Sequence, residues 1–236
     1  MDTILSPGLM NRSGAAYELK IQLPEDLSKD VEAWARERMT PDPHGEDGRY
    51  RTTSLYCDTS LYDVYRRAPG FKRSKYRVRR YGDAGWVYLE RKTRRGDRVW
   101  KRRDSSDLTD LAYLFGVEPA EAWPGGWFLQ RVRQLDLRPS CRVGYTRTAF
   151  VGGTVEEPLR LTLDRHLVGV PARDWDVTPV ADGKELLPGG VVLEMKFRDA
   201  LPALFRDLLA QLPPDLGRVS KYRHCVKAWR LAGEEV

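Results

Sequence analysis

The sequence predicts an α+β protein: an eight-stranded antiparallel β-barrel with helices packed on the outside. Three observations lead there. Eight short segments alternate apolar and polar residues between Gly, Asp or Pro turns, helical periodicity appears in only four places, and in most of the alternating segments the polar positions are charged. Strands in runs with helices inserted between them argue against a parallel βαβ fold. With 236 residues and no evident repeat or linker, residues 17–236 read as one domain behind a flexible N-terminal tail, 1–16.

The elements follow in order. Residues 17–23 form the first strand, with Glu18 and Lys20 on one face, because residues two apart share a face. A helix over 25–39 brings Leu27, Val31 and Trp34 to one side. Strands follow at 50–58, at 75–81, where Lys75, Arg77 and Arg79 oppose Tyr76 and Val78, at 86–94, where Glu90 and Lys92 oppose Val87, Leu89 and Arg91, and at 98–103. After a helix at 127–135 come strands at 141–150, at 159–164, where Arg160, Thr162 and Asp164 share a face, and at 191–197, where Glu194 lies with Lys196. Helices at 201–212 and 221–231 close the chain, and Trp34, Trp127 and Trp229 on helical stretches read as core.

Charge narrows the function. The chain carries 40 Lys and Arg against 34 Asp and Glu, a net +6. Residues 66–103 alone hold 16 against 3, a local +13, which leaves −7 on the remainder. So confined a field implies a polyanionic partner: nucleic acid, a nucleotide, an inorganic phosphate chain or an acidic membrane surface. A mean hydropathy of −0.56 and the lack of any stretch near the roughly 18 apolar residues of a span exclude a membrane helix. Cys57, Cys141 and Cys225 lack C-x-x-C spacing, so neither a disulfide framework nor a zinc site is indicated; with no signal peptide, a reducing, cytoplasmic location is expected. His44, His166 and His224 have no metal-ligand spacing, and no Walker A motif is present.

A solvated sheet face is the ordinary explanation for polar alternation. Here three strands supply a Glu-x-Lys pair, which a closed barrel with its charges inside explains better, and eight strands leave room for one small ligand. The proposed lumen contains Lys20, Lys75, Arg77, Arg79, Lys92, Lys101, Arg147, Arg160, Lys196 and Lys221 against Glu18, Glu90, Asp164 and Glu194, a net +6. Two like charges ~7 Å apart at an effective dielectric of ~20 repel by roughly 2 kcal/mol, so a linear anion would relieve the lumen. Ionised carboxylates cannot hold phosphate, but they are hard donors for Mg²⁺ or Mn²⁺; Glu18 and Glu90 could equally pair with neighbouring lysines.

At these residues the chain resembles the VTC domain of polyphosphate polymerases, within the CYTH-like triphosphate tunnel metalloenzyme superfamily. Tyr-Glu-Leu-Lys at 17–20, Ser-Leu-Tyr-Cys-Asp-Thr at 54–59, Lys-Tyr-Arg-Val-Arg-Arg-Tyr-Gly at 75–82 and Leu-Glu-Arg-Lys at 89–92 look like the family's first half. Tyr-Thr-Arg at 145–147, Arg-Leu-Thr-Leu-Asp at 160–164, Leu-Glu-Met-Lys at 193–196 and Ser-Lys-Tyr at 220–222 look like its second. The likeness covers about 17–230 and is closest to the bacterial stand-alone type, without the regulatory SPX domain or transmembrane segments of eukaryotic members.

The resemblance implies a tunnel that binds ATP and transfers its γ-phosphoryl to a growing inorganic polyphosphate chain. It implies Arg77, Arg79, Lys101, Arg147, Arg160 and Lys221 as the catalytic set, and Lys20, Lys75, Lys92, Lys196, Ser220 and Tyr145 as further phosphate contacts. Glu194 would hold Mn²⁺ or Mg²⁺, with Glu90 and Glu18 beside it. Ser220 also suits a helix N-cap. If water attacks instead of a terminal phosphate oxygen, the same tunnel is a triphosphatase; a phosphate-chain binder without catalysis is a third possibility. A nucleic-acid surface using 66–103 with Tyr76, Tyr81, Trp86 and Tyr88 competes, but it has no need of Glu-x-Lys pairs on distant strands. The oligomeric state is left open.

Overall fold

The computed structural model describes residues 15–71 and 73–233, so the tail expected at 1–16 lies outside the described residues as far as residue 14. The elements run β1 (Ala16–Pro24), α1 (Glu25–Arg38), β2 (Thr40–Pro41), β3 (Arg49–Asp58), α2 (Asp63–Arg66), β4 (Ser74–Tyr81), β5 (Trp86–Arg95), β6 (Arg98–Asp107) and a 3-10 helix, Leu108–Phe115. Then come α3 (Gly126–Gln134), β7 (Arg138–Gly153), β8 (Pro158–Pro171), β9 (Lys184–Glu185), β10 (Gly190–Phe197), α4 (Ala203–Ala210) and α5 (Lys221–Ala228).

Eight strands, in the order β7-β3-β4-β5-β6-β1-β10-β8, close into a barrel because β8 pairs back onto β7, and every pairing is antiparallel. The two-residue strands β2 and β9 are appended to β7 and β8. All eight expected strands are present.

Closure sorts the side chains. The apolar positions of β1, β8 and β10, among them Leu161, Leu163, Leu193 and Met195, face outward and are covered by Val31, Trp34 and Ala35 of α1 and Phe205 and Leu208 of α4. On the opposite flank Leu55, Val78, Val87 and Leu89 are covered by Leu111 and Leu114 of the 3-10 helix and Phe128 of α3, while Tyr222 and Val226 of α5 pack with Tyr56, Cys141 and Val143, which share by register the inner face of Arg77 and Arg79. Most of the hydrophobic core is therefore a jacket around the barrel, α5 packs against apolar inner-face residues of β3 and β7, and the rest of the interior is left to the charged positions. No helix among the described residues is long and apolar enough to cross a membrane.

Two features position α5. Asp58, at the end of β3, accepts the backbone N–H groups of Thr59 at 2.8 Å, Val64 at 2.8 Å and Tyr65 at 2.9 Å, and the hydroxyl of Tyr222. This buried carboxylate thus ties α2 and α5 to one strand end. Strand β8 runs on to Pro171, past the expected end at 164, through a bulge opposite Gly144 and Thr146 where His166 sits at φ 51. The bulge shifts the two-residue alternation by one, so the pattern breaks while the strand continues.

Candidate functional site

Cross-strand register organises the barrel interior into rows. Lys75 of β4, Lys92 of β5 and Lys101 of β6 stand directly opposite one another. Like charges so placed repel. Burial first, then the cations of Lys20, Lys92 and Arg77, lowers the Lys75 ammonium to about 7, with Glu18 opposing. Burial likewise lowers Lys101 to about 7, with Arg103 adding to the effect and Glu90 opposing it, and takes Lys92 to about 8.

The next row is Arg77, Glu90 and Arg103. Glu90 is wholly buried and receives Arg77 at 2.5 Å, Lys101 at 2.8 Å and Arg103 at 2.5 Å. Burial opposes its charge, yet Arg77, Lys101 and Arg103 together hold it well below the ordinary carboxylate range. Beyond this row Arg79, 5% exposed, donates to Ser54 Oγ at 3.1 Å and lies 5.9 Å from the Tyr81 ring centre. It forms no ion pair among the described residues, which leaves a buried guanidinium un-neutralised. Burial resists ionisation of Tyr81, but Arg103 and Arg79 pull its hydroxyl down to about 6.

The other wall comes from β1, β10, β8 and β7. Lys20 bridges Glu18 at 3.0 Å and Glu194 at 2.8 Å, and Lys92 reaches Glu18 from β5, two strands away. Asp164 receives Arg147 through two contacts, 2.6 and 2.8 Å, and Lys221 at 2.5 Å; burial opposes its charge, but Arg147 and Lys221 hold it at about 2. Lys221 also lies 4.7 Å from the ring centre of Tyr145. Arg147 stands 3.9 Å from Glu194. Arg160 pairs with Asp42 and donates to Tyr50 at 2.8 Å, and Lys196 lies in register between Glu18 and Arg160 with no ion pair among the described residues.

Of the site residues named from sequence, all sixteen therefore belong to the inner face of the barrel or to the start of α5. Ser220 does two things at once, accepting from Arg223 N–H at 3.4 Å as the α5 N-cap and from Lys75 Nζ at 2.8 Å. Arg103, Tyr81, Tyr50 and Asp42 are absent from the expected lumen, with Tyr81 placed only on the competing nucleic-acid surface. The first two were within reach, since Arg103 is two residues from Lys101 and Tyr81 two from Arg79. Asp42 sits just after β2 and carries no local signal; only the fold brings it to Arg160.

The carboxylates divide by availability. Both oxygens of Glu90 are taken by cations. Glu18 and Glu194 lie side by side on adjacent strands, with Lys20 between them at 3.0 Å from Glu18 Oε1 and 2.8 Å from Glu194 Oε2. No cluster of three or more acidic, His or Cys ligands occurs among the described residues. Two hard oxygen donors beside a cation-lined barrel interior suit Mg²⁺ or Mn²⁺, which takes one or two carboxylates and completes its shell with phosphate and water.

The family described as the VTC domain matches the chain over residues 15–230. Among solved structures, a candidate adenylate cyclase from Bacillus halodurans superposes with a TM-score of 0.51 at 12% identity, covering 87% of this chain and 96% of that one. A protein from Pyrococcus horikoshii superposes with a TM-score of 0.50 at 13% identity, covering 90% and 99%. At such identities the likeness is one of fold. No curated protein sequence matches the chain.

Proposed function

The chain belongs to the VTC domain family, and from that premise we propose that it is an ATP-dependent polyphosphate polymerase. The triphosphate of ATP binds inside the barrel. A terminal oxygen of an inorganic polyphosphate chain attacks the γ-phosphorus, the bond from that phosphorus to the β,γ-bridging oxygen breaks, and ADP leaves with the electron pair.

The observation that carries this proposal is the Lys75–Lys92–Lys101 row. Three ammonium groups placed opposite one another on adjacent strands cost stability in the free protein, and a chain of phosphates is the ligand that turns this cost into attraction. Phosphoryl transfer needs positioning and charge stabilisation more than covalent help from the protein. Arg77, Arg79, Arg147 and Arg160 offer planar two-point contacts to phosphate oxygens, while Lys20, Lys75, Lys92, Lys101, Lys196 and Lys221 act as point charges along the path. Ser220 and Tyr145 orient Lys75 and Lys221. Glu90 and Asp164 hold their arginines in place rather than meeting phosphate.

Glu194 and Glu18 would hold Mn²⁺ or Mg²⁺, which supplies neutralisation of charge on the bridging and non-bridging phosphate oxygens when bound. The free thiols of Cys57, Cys141 and Cys225, all buried, and ATP as donor fit a cytoplasmic location.

The deciding experiment supplies purified protein with ATP and either metal and resolves the products on a gel. Long phosphate chains together with ADP are expected. Orthophosphate as the sole phosphate product would make water the acceptor and the protein a triphosphatase; salt-sensitive RNA binding without turnover would make it a nucleic-acid-binding protein.

A further inference from the structure

The lysine row does not end at the barrel wall. Ser74 and Thr93 are opposite one another one step beyond Lys75 and Lys92, with their hydroxyls 2.9 Å apart. The following position brings Arg73, just ahead of β4, to the side of Arg94 on β5. Arg94 lies two residues from Lys92, hence on the same side of the ribbon and about 7 Å further along it. Basic residues therefore continue from the interior to the turn of the β5–β6 hairpin.

This hairpin carries an open cleft of about 490 Å³ lined by Arg73, Arg94, Arg95 and Gly96. No carboxylate lines it. Gly96, at φ 57, makes the turn, and the turn in turn holds Arg94, whose guanidinium donates to Gly96 O at 3.0 Å and to Asp97 at 3.2 Å. Arg73 and Arg95 are exposed and form no ion pair among the described residues. The guanidinium of Arg95 lies 5.8 Å from the ring centre of Trp100, which is 40% exposed. Asp97 pairs with Arg94 alone, which leaves the cations of Arg73 and Arg95 without an ion-pair partner among the described residues around a concave surface next to the tunnel.

We propose that this hairpin cleft is a second polyanion site, outside the tunnel, that holds the polyphosphate chain as it passes the lysine row. The inference rests on the proposed polymerase reading for the identity of the anion. Its chemistry asks only for a linear, repeating, flexible anion long enough to reach from Lys75 and Lys92 to Arg94 and Arg95. A triphosphate seated among Lys75, Arg77 and Arg79 does not extend that far, so the site distinguishes long chains from short ones.

The test compares wild-type protein with the triple variant Arg73→Ala, Arg94→Ala, Arg95→Ala, using calorimetric titration with long-chain inorganic polyphosphate and, separately, with tripolyphosphate. The expected result is at least a tenfold loss of affinity for the long chain, a salt dependence shallower by about 2 in logarithmic slope, and no change for tripolyphosphate. Arg95→Glu alone, at an exposed position, is expected to give the same selective loss and guards against a folding artefact in the triple variant. Unchanged long-chain affinity overturns the proposal, as does equal weakening for tripolyphosphate. Loss of RNA affinity with polyphosphate binding intact would make the cleft a nucleic-acid surface and overturns it too. Wild-type protein that binds neither phosphate ligand would remove the polymerase reading itself, an outcome distinct from the others.

Discussion

Lys75 donates from Nζ to Ser220 Oγ at 2.8 Å, joining strand β4 to the N-cap of α5 across 145 residues of sequence. The next residue, Lys221, reaches Asp164 on β8 at 2.5 Å, so the first turn of α5 is pinned to two separate walls of the barrel. Ser220→Ala removes the acceptor and the cap together. We expect tripolyphosphate affinity to fall about fivefold, in line with the ~1 kcal/mol of one cap or hydrogen bond, with the barrel intact by circular dichroism.

Arg79 is the cleanest single test of phosphate contact, because no carboxylate pairs with it among the described residues and its removal orphans no acid. Arg79→Ala should lower turnover by on the order of 10²–10³ while leaving the melting temperature equal or higher. Arg79→Lys should not restore activity, since an ammonium cannot make the two-point contact. Replacing both Arg77 and Arg79 with Ala should abolish polymer formation on the product gel.

The lysine row sets a pH dependence of definite sign. Lys75 and Lys101 titrate at about 7 and Lys92 at about 8 in the fold, against 10.5 ordinarily. Above these values the unfolded chain binds more protons than the native one, so stability rises with pH from about 7 towards 10, and the gain is absent below 7. Tyr81, at about 6 against 10.0, contributes with the same sign. The melting temperature of the free protein should therefore rise between pH 7 and 9. Phosphate binding should run the other way, taking up protons above pH 7; calorimetry in buffers of different ionisation enthalpy reads this directly, and zero uptake would refute it.

Glu90 neutralises three cations in a fully buried position. Glu90→Gln leaves Arg77, Lys101 and Arg103 facing one another and should destabilise the free protein by about 3–5 kcal/mol. Tripolyphosphate should recover more of the melting temperature in this variant than it adds to the wild type. Equal ligand shifts in both proteins would show that Glu90 and the phosphates do not share the same cations.

Glu194→Gln should raise the concentration of Mn²⁺ or Mg²⁺ needed for half-maximal turnover without weakening the binding of metal-free tripolyphosphate. Equal metal requirement in the variant would take Glu194 out of the metal site.

Much of the site could be read directly because alternation is local. Lys75, Arg77 and Arg79 follow one another at intervals of two, and any strand built from them must put all three on one side. The same periodicity located Glu18 with Lys20, and Glu194 with Lys196. It was silent where order is too short or irregular: α2 has only four residues, β2 and β9 two each, and His166 interrupts the alternation of β8 with its bulge. Helix α5 stops at Ala228, short of the expected 231, where Trp229 caps it and Arg230 turns to φ 52.

The amino-acid order by itself determined which stretches are strands and which of their faces is charged, since both depend only on neighbours a few positions apart. Only the tertiary structure decided who meets whom: Glu90 with Arg77, Lys101 and Arg103, Asp42 with Arg160, Ser220 with Lys75. The Glu90 contacts depend on the register of two neighbouring hairpins, whereas Asp42 with Arg160 and Ser220 with Lys75 depend on packing between segments more than a hundred residues apart, and none of these leaves a periodic trace along the chain.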